Sequence, residues 1–71
     1  MVQINNQKIL RMREAMGVSQ KSFAERIGLS PQGLNNIERG LKNPASTTLY
    51  LIAKELGCSV DELYIDKDKP A

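Results

Sequence analysis

Apolar residues along this chain recur at intervals of three and four, and glycines interrupt them at element-length distances. That rhythm predicts helices. Ile9, Met12 and Met16 share one side of a segment from Asn6 to Met16. Asn5 or Asn6 can cap its start, and Gly17 supplies a left-handed stop. Ser19 caps a second helix that carries Phe23, Ala24 and Ile27 on one side and closes at Gly28. The turn Gly28-Leu29-Ser30 is short enough to let the next helix cross steeply rather than fold back antiparallel. Ser30-Pro31 is a strong start signal, because the hydroxyl takes up exposed amides and proline loses no needed hydrogen bond at the first helical position. This third helix runs to Arg39, and Gly40 stops it. After the loop Leu41 to Pro44 a fourth helix spans Ser46 to Leu56, with Leu49, Ile52, Ala53 and Leu56 inward. A variant of this reading starts the fourth helix later, with Ser46 itself as the cap. Ser59-Val60-Asp61-Glu62 has capping-box spacing and predicts a short fifth helix over Asp61 to Tyr64. The expectation is one compact all-α, five-helix domain over residues 1–65 with a charged, frayed tail at 66–71.

The stretch from Ser19 to Gly40 divides its residue types unusually. Phe23, Ala24, Ile27, Leu29, Leu34 and Ile37 carry the apolar load, while Gln20, Gln32, Asn35 and Asn36 must point outward. A solvated helix face usually holds Glu and Lys. Here the outer face from Pro31 to Asn36 carries no charge at all. Gln32 and Asn36 lie four apart, hence on one face. Carboxamides pair in bidentate fashion with adenine N6 and N7, a contact worth ~1–3 kcal/mol of discrimination. A short helix opening with exposed amides is the kind of element that fits a major groove.

Composition narrows the remaining classes. Seventy-one residues permit one domain with a small core, so tight packing or a partner must add stability. One cysteine, Cys58, and no histidine make a zinc-finger arrangement or an internal disulfide impossible. Catalysis needs an acid, base or nucleophile in a pocket, and Cys58 has no evident basic partner. Asp61 and Glu62 look like carboxylates complementing a helix dipole. An enzyme, a cofactor and a metal are not expected. With no apolar run of 18 residues and no signal peptide, the expectation is a cytoplasmic protein with no membrane contact. Net charge is only +2, but residues 1–44 hold seven Lys and Arg against three Glu, a net +4. Residues 45–71 hold three Lys against five Asp and Glu, a net −2. A basic front suits a polyanion.

The ordered runs LRMREAMGVSQ, FAERIGLS, LNNIERG, NP and LIAKELGCSVDEL span Leu10 to Leu63, about three-quarters of the chain. In them the chain resembles the lambda-repressor/Cro-type helix-turn-helix family of bacterial and phage regulators. The resemblance implies a DNA-binding domain whose helix-turn-helix is made by the second and third helices. It implies double-stranded DNA as partner, a palindromic operator bound by a homodimer, and repression by occupying a promoter. Site residues carry over position by position. Gln32 and Asn36, with Asn35, would contact bases; Pro31 could pack on a thymine methyl, and Gly33 could permit close approach of backbone. Gln20, with Ser19, Ser30, Arg39, Lys42 and Asn43, would meet phosphates, Gln20 also bracing the recognition helix. Arg13 and Glu38 match an ion pair linking the first and third helices. Ala24 is a packing residue that lets the two motif helices approach.

Tyr50 and Leu51 cannot both face the core served by Leu49, Ile52 and Ala53. With Cys58, Val60 and Tyr64 they could form an apolar patch for a partner subunit. The chain leaves no room for a small-molecule ligand domain, which leaves concentration, a protein partner or degradation as means of control. The alternative from another class is a protein-interaction module, an antitoxin or adaptor of the same fold, with DNA binding secondary or absent. The amide-rich face of the third helix argues against it.

Overall fold

A computed structural model of the chain describes residues 2–66. In chain order these form strand β1 (Val2–Ile4), helices α1 (Asn6–Ala15), α2 (Gln20–Arg26), α3 (Pro31–Glu38) and α4 (Ser46–Leu56), a single 3-10 turn (Val60–Leu63), and strand β2 (Tyr64–Asp66). The helix starts follow the local signals. Asn5 Oδ1 accepts from the Lys8 N–H, Ser19 Oγ from Ser22 and Ser30 Oγ from Gly33, each about 3 Å away. The Ser22 and Gly33 N–H groups would otherwise lack a partner in their helices, and the Lys8 N–H is shared with the Asn5 carbonyl.

The turn between α2 and α3 shows how tightly the motif is closed. Gly28 has φ of 73°, a left-handed conformation in which a Cβ is strained. It lets the Leu29 N–H reach back to the Ala24 carbonyl at 2.9 Å and the Gly28 N–H to Glu25 at 3.3 Å. The chain leaves α2 with its last carbonyls satisfied and enters α3 two residues later.

One apolar cluster holds the helices together. Ile9, Phe23, Leu34, Ile52 and Leu63 are completely buried, and Ala24, Ile27, Ile37, Leu49, Ala53 and Leu56 complete the cluster. Burying a side chain of this size contributes roughly 1.5–3 kcal/mol. Ala24 has no exposed surface, and α2 packs on α3 more extensively than any other two helices pack. A larger side chain there would have to part them. Met12 and Leu29 sit partly buried at the margin, whereas Met16 is 42% exposed and takes no part in the core.

Three features differ from the five-helix expectation. The fifth helix is not formed: Ser59 and Glu62 make a reciprocal cap, but it holds only the 3-10 turn, and the described residues contain four α-helices. The buried Leu63 side chain anchors that turn, and its carbonyl accepts from the Asn5 N–H at 2.7 Å, which directs Tyr64 into an extended segment. The all-α class stands, with one addition that was not expected, a short two-stranded ribbon. β1 and β2 pair antiparallel, Val2 opposite Asp66, Gln3 opposite Ile65 and Ile4 opposite Tyr64. Third, Ser46 does not cap a delayed fourth helix; it is already the first residue of α4, behind an Ala45 cap that offers no side-chain hydrogen bond. Of the tail expected at 66–71, Asp66 ends β2 and residues 67–71 lie outside the described ones.

Candidate nucleic-acid interface

The floor of the site is a buried ion pair. Arg13 in α1 and Glu38 at the end of α3 are 8% and 4% exposed. Arg13 Nε donates to Glu38 Oε2 at 2.7 Å, its Nη2 reaches Oε1 at 3.3 Å, and its Nη1 donates to the Val18 carbonyl at 2.8 Å. These bonds pin α3 against α1 and the α1–α2 turn. Asn6 Nδ2 adds a second tie, to the Ile37 carbonyl at 2.6 Å. The recognition-type helix is held at its C-terminal end from two directions.

Gln20, the first residue of α2, lies across this floor, half-buried. Its Nε2 donates to Glu38 Oε1 at 2.9 Å and to Asn35 Oδ1 at 3.2 Å. A carboxamide nitrogen has two hydrogens, and both are committed inside the protein. The Gln20 and Lys21 N–H groups open the helix without intrahelical partners, beside the positive end of its dipole. Ser19 and Ser30 are exposed; their hydroxyl oxygens accept the capping bonds, and each O–H remains free to donate.

The outer face of α3 presents what is left. Pro31 and Gln32 are exposed, and Gly33, Asn35 and Asn36 are half-buried. Gln32 Nε2 donates to Asn36 Oδ1 at 3.0 Å, one turn along the same face. A Cβ on Gly33 would stand 3.2 Å from Ser30 Oγ, pressing on the atom that caps the helix. Gly33 also lines a cleft of about 320 Å³ with Ile37, Lys42, Asn43, Ala45 and Thr48. Gly40, at φ of 77°, turns the chain so that the Leu41 and Lys42 N–H groups both bond the Asn36 carbonyl at 2.8 and 3.3 Å. Arg39, Lys42 and Asn43 are all exposed, but only Lys42 and Asn43 share the Gly33 cleft, and Arg39 borders a separate one with Asn6, Gln7 and Leu10.

The start of α4, not singled out from the sequence, has no side-chain cap, which leaves the N–H groups of Ser46, Thr47 and Thr48 available. Ala45 and Thr48 line the cleft with Lys42 and Asn43. The signal was there in the alanine preceding Ser46, a poor cap. Between Glu25 and Glu55 the only acidic residue is Glu38, and it is buried and paired. Arg26 faces Glu55 at 3.8 Å and is half exposed, a surface pair of small energetic value.

The residues expected to make an apolar rear patch are only partly assembled. Tyr50, Cys58 and Val60 line one shallow cleft, but Leu51 and Tyr64 do not border it. Cys58 and Val60 pack against the core, while Tyr50, Leu51 and Tyr64 are 58%, 39% and 37% exposed. Burial and the nearby Glu62 push the Cys58 thiol above its ordinary value, which disfavours a thiolate. Among the described residues no group of side chains could hold a metal ion, and no helix is long and apolar enough to cross a membrane.

The chain matches the helix-turn-helix family model over residues 9–63. It is 41% identical over 59 residues to an uncharacterised HTH-type transcriptional regulator, y4dJ, of Sinorhizobium fredii, covering 83% of this chain and 77% of that one. Other curated relatives are longer, and the chain spans 34% to 41% of three of them. Among solved structures, the P22 c2 repressor in complex with a synthetic operator has a TM-score of 0.81 at 26% identity, over 86% of this chain and 92% of that one. SinR of Bacillus subtilis, a master regulator for biofilm formation, in complex with DNA, has a TM-score of 0.77 at 33% identity, over 84% and 97%. With its capped helix pair, Gly28 turn and buried α1–α3 ion pair, the chain belongs to the lambda-repressor/Cro-type helix-turn-helix family of transcriptional regulators.

Proposed function

We propose that this chain binds double-stranded DNA with α3 in the major groove and acts as a transcriptional repressor. Two copies would sit on a palindromic operator and present their α3 helices to successive major grooves, about 34 Å apart. Gln32, Asn36 and Asn35 would read bases, with Pro31 and Gly33 allowing close approach. Lys42, Asn43 and Arg39 would meet phosphates, joined by backbone N–H groups at the starts of α2, α3 and α4. Ser19 and Ser30 would serve as caps that aim those N–H groups. The bacterial cytoplasm is the setting such a role requires.

The observation that carries this reading is the absence of any exposed carboxylate from Arg26 to Lys54, while Gln32, Arg39, Lys42 and Asn43 stand exposed in the same span. A duplex carries a phosphate charge every ~1.7 Å of its axis, and a groove-facing carboxylate would be repelled. The two DNA complexes named above, each of similar fold, support the docking mode. Homodimerisation is supported by the exposed Tyr50, Leu51 and Tyr64.

A gel-shift titration across salt tests the reading. Groove binding lowers the logarithm of affinity linearly with log salt, by about 0.9 per neutralised phosphate. An undetectable or salt-insensitive interaction would instead favour the protein-interaction reading.

A further inference from the structure

The amide of Asn35 is oriented by a charge it does not touch. Arg13 has only donors, and it engages both oxygens of the Glu38 carboxylate. The Gln20 atom 2.9 Å from Glu38 Oε1 must then be its nitrogen, because a carbonyl would face an acceptor with nothing between them. That assignment propagates. The same nitrogen lies 3.2 Å from Asn35, so the Asn35 atom facing it must be the oxygen. Its Nδ2 is left turned away from Gln20. The Gln32–Asn36 pair has no such constraint: neither amide bonds an ionised group, and both could turn over together while keeping their 3.0 Å bond.

Resting on the groove-binding reading, we propose that the Arg13–Glu38–Gln20 relay turns Asn35 Nδ2 outward and makes Asn35 read chiefly as a donor. It recognises an acceptor on a base edge, such as purine N7, guanine O6 or thymine O4, in preference to the donor-plus-acceptor contact of a free carboxamide with adenine, because Gln20 holds one of the two lone pairs of Asn35 Oδ1. Gln20 and Glu38 are positioning residues in this scheme. Gln20 contributes to base preference without contacting a base, and rotating Asn35 would break a bond to a fully committed nitrogen. Gln32 and Asn36 remain an adaptable pair.

The test has one arm without DNA and one with it. In the free protein, side-chain amide hydrogen exchange by NMR should find the Gln20 NH2 protons protected and those of Asn35 exchanging freely. In the DNA arm, in-vitro selection with the full chain should return one operator position at which an acceptor-presenting base is preferred about tenfold. Gln20→Met should bring that preference within about twofold and leave the other positions unchanged. Gln20→Lys restores a donor between Glu38 and Asn35 and should restore the preference. Asn35→Asp should shift it toward bases presenting an amino group. Free exchange of the Gln20 amide, or the same preference in wild type and Gln20→Met, would overturn the relay. A uniform loss of affinity in Asn35→Ala for every duplex, with base preference unchanged, would mean that the acceptor is a phosphate, and would overturn the base-reading role. If wild type binds no duplex while the Gln20 protons stay protected, the groove-binding reading has failed and the base-reading role with it, whereas the orientation itself stands.

Discussion

Removing Arg13 should cost more than any surface substitution in this protein, and the structure says why. In Arg13→Met the Glu38 carboxylate loses its counter-charge while its side chain remains only 2% accessible. Two bonds to Glu38 and one to the Val18 carbonyl disappear, and only Gln20 still donates to the carboxylate. Breaking a buried pair from one side typically costs ~3–5 kcal/mol, because a charge is left without compensation. A domain of 71 residues has roughly 4–10 kcal/mol in total. Arg13→Met should therefore lose about half its stability and lower Tm by ~15–30 °C. The double variant Arg13→Met/Glu38→Leu removes both charges and keeps the volume, and should recover at least half of that loss. Urea denaturation of the wild type, both single variants and the double variant closes the cycle. A cost below ~1 kcal/mol for Arg13→Met, or a double variant as unstable as the two singles added together, would refute the buried-charge reasoning.

Four further outcomes are expected. Lys42→Ala should weaken binding to all duplexes about equally and reduce the salt slope by about 0.9, whereas Gln32→Ala should relax preference at one base; titration of matched and mismatched duplexes separates them. Ala24→Leu places a larger side chain where no surface is free and should cost ~1–3 kcal/mol in urea denaturation, with any loss of DNA binding following the loss of fold. Glu62 accepts the Ser59 N–H at 2.8 Å, which holds its carboxyl below the ordinary 4.5. Its contribution is present above that value and lost as pH falls through the lowered one, so the Tm difference between wild type and Glu62→Gln should vanish in acid thermal scans. Leu51→Glu and Tyr64→Glu should each shift sedimentation toward monomer, and an unchanged mass would remove both residues from the proposed dimer surface.

The helix-turn-helix was legible because its signals are local. Ser19, Ser30 and Pro31 start helices, Gly28 and Gly40 stop them, and each acts within four residues of its own position. The sheet was not, because Val2 pairs with Asp66 across almost the whole described chain, and three-residue strands are too short to show alternation. Capping-box spacing at Ser59 marked a helix start correctly but carried no information on length, which the burial of Leu63 determines. At the site, residue type and face could be read for Gln32 and Asn36. The commitment of Gln20 could not, since it depends on a carboxylate 18 residues away that only packing brings near.

The pairing of Val2 with Asp66 also governs how the domain answers to force. Tension applied across those two positions would open the ribbon like a zipper, rupturing its bonds in succession, rather than shearing them all at once. Such a geometry yields at low load. A pull transmitted through either flank would be absorbed by the peeling ribbon before it reached the Arg13 tether that steadies α3.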